Sequence, residues 1–209
     1  VESCLVKITV DNGAVGWGEV QAPLTPQTPC ALITTLLGPA LLGMDAREIP
    51  ALNERLYHLM LARGHTGSFI SDAIAGLDIA LWDLNGRSQG LPISRMIGGE
   101  VQTELSAYVS GLRVKGLEAK IVAANDLREQ GLAGVKIFTG AAIEDVEKEA
   151  RAIREAIGTD AFFALDAICK YELPEAIRLG RTLDELKVTW FEAPLNAEDV
   201  EGHSELART

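Results

Sequence analysis

Three short apolar segments within residues 132–195, each carrying one charged residue, constrain the fold more than any other feature of this chain. They read GVKIF at 134–138, FFALDA at 162–167 and TWFEAP at 189–194. Segments with helical periodicity separate them, and this alternation is typical of parallel βα units. Because side chains alternate along a strand, Lys136, Asp166 and Glu192 are predicted to meet at the carboxyl-terminal rim of a curled sheet, where barrel enzymes place their chemistry.

The second half of the chain is predicted to be the first half of a (β/α) barrel, over residues 101–209. Its predicted elements are strands at 105–111, 135–138, 162–167 and 188–193 and helices at 118–130, 143–157, 173–186 and, as the start of a fourth, 198–207. A closed eightfold barrel needs ~250 residues, so roughly three and a half of eight units are present. Because an open half-barrel exposes strand edges, we expect a larger protein or a second copy to supply the remainder.

The first half, residues 1–100, is predicted to be a separate α+β domain. The segments 4–10 and 15–20 form a predicted hairpin around Asp11, Asn12 and Gly13, which suit a tight turn. Residues 21–30 contain three prolines and are predicted to be an irregular loop. Predicted helices follow at 32–42, with a break near Gly38 and Pro39, at 49–62 and at 68–89, and the boundary is placed near residue 100.

Composition narrows the possible partners and the compartment. A formal charge of -11 and a pI near 4.8 argue against a nucleic-acid or anionic-membrane surface, and the most apolar run, 31–42, is too short to span a membrane. The odd number of cysteines, Cys4, Cys30 and Cys169, favours reduced thiols over a disulfide framework, so the cytoplasm is expected. The chain begins with Val1, and its amino end is predicted to be incomplete.

Several motifs in a fixed order carry a family resemblance. They are VGWGE at 15–19, AIAGLDIALWDL at 73–84, GLP at 90–92, IGG at 97–99 and the three strand ends. Together they resemble the mandelate racemase and muconate-lactonizing branch of the enolase superfamily over essentially the whole chain. The resemblance implies an α/β fold in which an N-terminal α+β capping domain precedes a TIM-type (β/α) barrel.

The resemblance also implies roles for five residues. Asp166 and Glu192 match the first two of three metal-binding carboxylates, and the third ligand would lie beyond Thr209. Lys136 matches the first lysine of a Lys-x-Lys pair and is the candidate catalytic residue, although a strand-end lysine with a solvated ammonium is the alternative. Phe138 stands where the second lysine would be, beside the substrate. His65 lies in a segment (61–69) that resembles a specificity loop of the cap and is a candidate substrate contact, or else a solvated loop histidine.

These residues suggest a Mg²⁺-dependent reaction on a small-molecule carboxylate. Removing a proton next to a carboxylate creates an enediolate, whose charge a hard divalent cation offsets. Because Phe138 cannot exchange a proton, one face of the substrate lacks the usual base, which favours dehydration of a hydroxy-acid or sugar acid. A racemase, epimerase or cycloisomerase is the alternative within the family, and a non-catalytic relative or assembly subunit is the alternative outside it. The resemblance further implies a homo-oligomer.

Overall fold

The computed structural model describes residues 2–22, 24–99 and 102–209. Backbone contacts divide the chain into two compact units, Val1–Thr103 and Glu104–Thr209. The boundary predicted near residue 100 falls outside the described residues. In the described ranges, no helix combines the length and the apolar character needed to cross a membrane.

The first unit is a β-hairpin covered by helices. Its elements are β1 (Cys4–Thr9), β2 (Val15–Val20), α1 (Gln27–Leu32) with a π-helical turn (Ile33–Leu37), α2 (Ile49–Leu61), α3 (Phe69–Gln89) and α4 (Ile93–Met96). The strands pair antiparallel from Cys4 opposite Val20 to Thr9 opposite Val15. Gly13 has a φ of 84° in the predicted turn, a conformation that costs glycine little. Alternate residues of both strands then face α3 and form the core of this unit.

Glycines bring β2 and α3 into backbone contact. A methyl group on Gly16 would overlap the carbonyl oxygen of Ala80, and one on Gly18 would overlap that of Gly76. A methyl group on Gly76 would in turn overlap the Val20 side chain. The absence of side chains at these positions therefore sets how closely the helix approaches the hairpin.

Two predictions for this unit were wrong. The segment 21–30 is not irregular throughout, because α1 begins at Gln27. Helical structure ends at Leu37, beside the break predicted near Gly38 and Pro39. Pro29 lies in the first turn of α1, where its missing N–H removes no helical hydrogen bond. The expectation of unpaired cysteines was also wrong, since Cys4 of β1 and Cys30 of α1 form a disulfide. The sequence separation of 26 residues gave no sign of this contact.

The second unit is a parallel βα array. Its elements are β3 (Tyr108–Ser110), α5 (Leu117–Glu129), β4 (Gly134–Phe138), α6 (Ile143–Ile157), β5 (Phe162–Asp166), α7 (Leu173–Glu185), β6 (Trp190–Glu192) and α8 (Val200–Leu206). The strands lie in the order β3-β4-β5-β6, and all neighbours are parallel. β3 and β6 are shorter than predicted because each pairs with its neighbour over only three residues.

The two faces of this sheet differ in chemistry. One face packs on the helices through fully buried apolar side chains, which include Val135, Ile137, Phe163 and Leu165. The opposite face, which we call the inner face, carries the alternate residues. They are Tyr108, Ser110, Gly134, Lys136, Phe138, Phe162, Ala164, Asp166, Trp190 and Glu192. One face of the sheet packs on the helices through apolar side chains, and the charged side chains of the strands lie on the inner face.

A buried arginine ties together the loops that precede β5 and β6. Arg154 of α6 is 4% exposed and donates hydrogen bonds of 2.7–2.8 Å to four backbone carbonyl groups. The acceptors are Gly158 and Ala161 before β5 and Leu186 and Lys187 before β6. Burial lowers the pKa of the Arg154 guanidinium. This cation thus satisfies carbonyl groups at the amino-terminal ends of the strands.

Candidate metal and catalytic site

Lys136 projects from the middle of the inner face and is almost completely buried, with 7% of its surface exposed. Its strand neighbours Val135 and Ile137 lie in the core on the other face. An ammonium so deeply placed requires hydrogen-bonding or charged partners, because desolvation disfavours an unpaired charge. The two partners come from the next two strands.

The carboxylates of Asp166 and Glu192 converge on the Lys136 ammonium. Lys136 Nζ lies 2.6 Å from Glu192 Oε2 and 3.4 Å from Asp166 Oδ2. The sheet register explains the convergence, since Phe138, Asp166 and Glu192 are direct neighbours across β4, β5 and β6. The structure therefore brings together the cation and the two carboxylates that the strand pattern predicted to meet.

The pKa values of the close pair shift in opposite directions. The hydrogen bond to Glu192 raises the pKa of the Lys136 ammonium above its ordinary value, and Asp166 adds to this effect. The hydrogen bond from Lys136 lowers the pKa of the Glu192 carboxyl, with a smaller contribution from Trp190. Each charge favours the ionised form of the other, so the pair is ionised at neutral pH.

Backbone contacts after β5 hold the Asp166 carboxylate from its other side. The Ile168 N–H donates to Asp166 Oδ1 at 3.0 Å. Ile168 and Cys169 have φ values of 53° and 57°, which a β-branched residue such as isoleucine rarely adopts. Cys169 N donates to the Ala193 carbonyl at 2.7 Å, so the loop after β5 is tied to the loop after β6. This conformation keeps an N–H directed at Asp166.

Phe138 occupies the same face as Lys136, one step nearer the rim. Its ring is 45% exposed and covers Gly111 at the end of β3. Lys136 Nζ lies 5.1 Å from the ring centroid, within cation–π range. The side chain at this rim position is therefore apolar and cannot titrate.

His65 lies in the first unit, in the loop between α2 and α3, and it is exposed. Among the residues that the structure describes, none makes a charged contact with the histidine ring that fixes a role for it, so its predicted contact with substrate stays a prediction.

Asp166 and Glu192 fit the requirements of a hard divalent cation. Both present carboxylate oxygens, the ligand atoms that Mg²⁺ prefers. Both carboxylates also lie within 4 Å of the same atom, Lys136 Nζ, so a single cation can reach both. One ammonium faces two carboxylates, which leaves a local excess of negative charge. Across residues 2–22, 24–99 and 102–209, no three acidic, histidine or cysteine side chains form a metal-binding group. The third ligand predicted beyond Thr209 stays a prediction.

Sequence reasoning missed two groups that contact these carboxylates. One is the Ile168 N–H, for which a carboxylate two residues earlier, typical of Asx turns, was an available signal. The other is the Trp190 indole N–H, which donates to Glu192 Oε2 at 3.2 Å. The strand alternation had placed Trp190 and Glu192 on one face, but it carries no information about side-chain rotation.

Comparison with known proteins gives two family matches that together cover most of the chain. Residues 2–98 match the mandelate racemase / muconate lactonizing enzyme N-terminal domain, and residues 119–209 match the enolase C-terminal domain-like family. The predicted fold class, an N-terminal α+β domain followed by part of a (β/α) barrel, is thereby confirmed.

Named relatives agree with these matches. The chain is 32% identical to a D-galactarolactone cycloisomerase of Agrobacterium fabrum, over 96% of this chain and 53% of the relative. It is also 32% identical to an arabinonate dehydratase of Saccharolobus solfataricus, over 99% of this chain and 56% of the relative. A mandelate racemase/muconate lactonizing protein from Paracoccus denitrificans, solved in complex with magnesium, is 31% identical with a TM-score of 0.88, over 99% of this chain and 58% of the other. The chain spans about half the length of the curated relatives it matches.

Proposed function

Because the chain belongs to the mandelate racemase and muconate lactonizing enzyme family of the enolase superfamily, we propose that it provides part of an enzyme that removes the proton next to a substrate carboxylate. The reaction we favour is dehydration of a hydroxy-acid, in particular a sugar acid. Residues 1–100 serve in this proposal as the capping domain and residues 101–209 as the first half of the catalytic barrel. The substrate is a small-molecule carboxylate, and the assembly is a homo-oligomer.

The observation that carries the proposal is the convergence of Lys136, Asp166 and Glu192 at the carboxyl ends of three consecutive parallel strands. A sheet that only had to pack would not gather two carboxylates and one ammonium on a face away from its helices, since desolvated charges are costly. This rim is also where barrel enzymes carry out their chemistry.

Asp166 and Glu192 are the residues that we propose hold Mg²⁺. When bound, Mg²⁺ supplies positive charge that stabilises the enediolate formed when the proton leaves. The magnesium complex of the Paracoccus denitrificans relative supports this choice of ion. A third carboxylate from beyond Thr209 completes the proposed ligand set.

Lys136 is the proposed catalytic residue on this part of the rim. Its contacts with Glu192 and Asp166 raise its pKa, so the side chain carries a proton. As an ammonium it binds the substrate carboxylate or donates a proton to a departing group; as a neutral amine it accepts one.

Phe138 is the reason for favouring dehydration over racemisation. Its ring contributes to substrate binding in this proposal but can neither accept nor return a proton. Racemisation needs an acid or base on each face of the reacting carbon, whereas dehydration can proceed with one base and one acid for the leaving hydroxyl. The exposed His65 is proposed to contact substrate from the cap.

The test uses the full-length protein and a panel of aldonic and aldaric acids with Mg²⁺. We expect formation of a dehydrated 2-keto acid, detected by its carbonyl derivative, and loss of this product in Lys136→Met. Exchange of the α-proton with D₂O on both epimers of one substrate would contradict the dehydration assignment. Failure of the full-length protein to bind Mg²⁺ would favour the non-catalytic alternative.

The similarity to a D-galactarolactone cycloisomerase supports cycloisomerisation as the second candidate. The two reactions differ in mass balance, since dehydration releases one water and cycloisomerisation releases nothing. Mass spectrometry of the product from a lactone substrate therefore separates them.

A further inference from the structure

We propose that Trp190 is a positioning residue for Glu192, holding its carboxylate in the orientation that binds the metal ion. The inference rests on the proposed function, in which Glu192 is a metal ligand. It concerns Trp190, to which the proposed reaction itself assigns no role. Three features of the inner face lead to it.

The first feature is that two donors bind the same oxygen of Glu192. Lys136 Nζ lies 2.6 Å from Oε2, and the Trp190 indole N–H donates to Oε2 at 3.2 Å. Both donors bind Oε2, so neither occupies Oε1. A carboxylate held by two donors on one oxygen has a restricted rotation, and its second oxygen keeps a fixed direction.

The second feature is the small residue between the two donors. Lys136, Ala164 and Trp190 are direct neighbours across β4, β5 and β6, in the row immediately below Asp166 and Glu192. Ala164 is fully buried, and its methyl group leaves the Lys136 and Trp190 side chains room to approach Glu192 from either side. A larger side chain at this position would separate the donors.

The third feature is an aromatic cluster that fixes the Trp190 ring. The ring lies 4.8 Å from the Phe162 ring and 5.6 Å from the Tyr108 ring, in edge-to-face arrangements that aromatic pairs prefer. Tyr108 reaches Phe162, at 4.4 Å, across the strand between them because the intervening residue in that row is Gly134. The indole N–H is therefore presented by a ring that packs on two other aromatic rings, while 39% of Trp190 stays exposed.

These contacts predict a specific defect when the N–H alone is removed. Trp190→Phe keeps an aromatic ring in the cluster but leaves Glu192 Oε2 with one donor. Partners that orient a metal ligand typically change metal affinity by about 10- to 100-fold when removed. We expect the variant to bind Mg²⁺ about tenfold more weakly than the wild type, with an unchanged thermal unfolding midpoint.

The experiment is calorimetric titration of the full-length protein with Mg²⁺, for the wild type and three variants. Trp190→Phe removes the donor, and Trp190→His keeps a ring N–H on a smaller ring. Tyr108→Phe is the matched control, because it alters the same cluster and leaves the donor in place. We expect weakened binding in Trp190→Phe, recovery of at least part of it in Trp190→His, and wild-type binding in Tyr108→Phe.

The outcomes separate this inference from the function on which it rests. Wild-type affinity in a folded Trp190→Phe variant would overturn the positioning role while leaving Glu192 as a ligand. Equal weakening in Tyr108→Phe would also overturn it, since packing and not the N–H would then be responsible. Absence of Mg²⁺ binding in the wild type would overturn the metal site itself.

A spectroscopic measurement covers the case in which Trp190→Phe does not fold. Residues 1–209 contain three tryptophans, so a variant that carries Trp17→Phe and Trp82→Phe, with any tryptophan beyond Thr209 also replaced by phenylalanine, reports on Trp190 alone. Because the indole N–H donates a hydrogen bond to Oε2 of the proposed metal ligand Glu192, we expect the indole emission to change on Mg²⁺ addition, with the affinity that calorimetry gives. Emission that is unaffected by saturating Mg²⁺ would contradict the proposed contact.

Discussion

Two buried cations lie at opposite ends of the same parallel sheet and have different partners. Arg154, at the amino-terminal ends of the strands, is surrounded by four backbone carbonyl groups, which are neutral and cannot leave. The Lys136 ammonium, directed at the carboxyl-terminal ends, faces two carboxylates, which are charged and can also bind a cation. Both cations have well under a tenth of their surface exposed, so burial does not distinguish them.

The difference indicates what each cation does. Neutral carbonyl acceptors give Arg154 hydrogen bonds that persist in every state of the folded unit, which stabilises the loops before β5 and β6. Charged acceptors give Lys136 partners that also attract a metal ion, and the ammonium itself attracts an anionic substrate. In (β/α) barrels the amino-terminal face serves stability and the carboxyl-terminal face serves chemistry, and the partners of these two cations follow that division.

The largest effect is expected from Asp166→Asn. The substitution keeps the shape of the side chain but removes the charge that attracts Mg²⁺, so we expect loss of Mg²⁺ binding and a fall in activity of about a thousandfold or more. Stability should change little, because Lys136 retains Glu192. Glu198→Gln, an exposed carboxylate after β6, serves as the control. Normal Mg²⁺ affinity in Asp166→Asn would remove it from the ligand set.

A large loss of stability without loss of metal affinity is expected from Arg154→Met. The four carbonyl groups lose their donor, and unsatisfied buried polar groups cost about 1–3 kcal/mol each when water cannot reach them. We expect the free energy of unfolding in urea to fall by at least about 3 kcal/mol. Arg151→Met, one turn away and exposed beside Glu185 at 3.0 Å, should change it by no more than ~0.5 kcal/mol. A stable Arg154→Met variant would contradict the structural role.

A smaller and pH-dependent effect is expected from Lys136→Met. In the folded protein the pKa of Glu192 is below its ordinary value of 4.5, so the pair stabilises the fold fully above that pH. The contribution disappears as pH falls through the lower folded pKa. The pKa of Lys136 is raised above 10.5, so the contribution is also lost as pH rises through that folded value.

Urea unfolding between pH 3 and 7, without divalent cations, measures this effect. We expect the wild type to lose more stability on acidification than Lys136→Met, with a difference on the order of 1 kcal/mol because solvent screens the half-exposed Glu192. Lys148→Met, which removes an exposed lysine of α6, should follow the wild-type profile. Parallel curves for the wild type and Lys136→Met would show that the pair does not couple to folding.

The sequence predicted the elements and the meeting of charges because both depend on periodicity. The bounds of α6 agree with the prediction, and the alternation in β4, β5 and β6 assigned Lys136, Asp166 and Glu192 to one face. Alternation is a property of the backbone, so it is readable without knowledge of the fold.

Most of the features that the sequence did not predict depend on contacts between residues that are distant in sequence. The Cys4–Cys30 disulfide requires β1 and α1 to be adjacent, which the spacing of cysteines does not reveal. The Trp190 hydrogen bond requires a rotamer set by Phe162 and Tyr108. The start of α1 was missed because the three prolines in residues 21–30 were taken to indicate a loop. A proline in the first turn of a helix is tolerated, so it does not exclude a helix there.

The backbone contact between β2 and α3 has a consequence for how this chain tolerates mutation. At most surface or loop positions alanine is the mildest replacement, but at Gly16, Gly18 and Gly76 even a methyl group meets backbone or packed side-chain atoms. In a library that randomises every codon, these three sites should be almost as restricted as the proposed metal ligands Asp166 and Glu192, although no contact with substrate is proposed for them. Gly67, which has open space around it, should accept most replacements. A mutational scan would therefore show the same low tolerance to substitution at positions that set the distance between a helix and a hairpin as at positions proposed for catalysis.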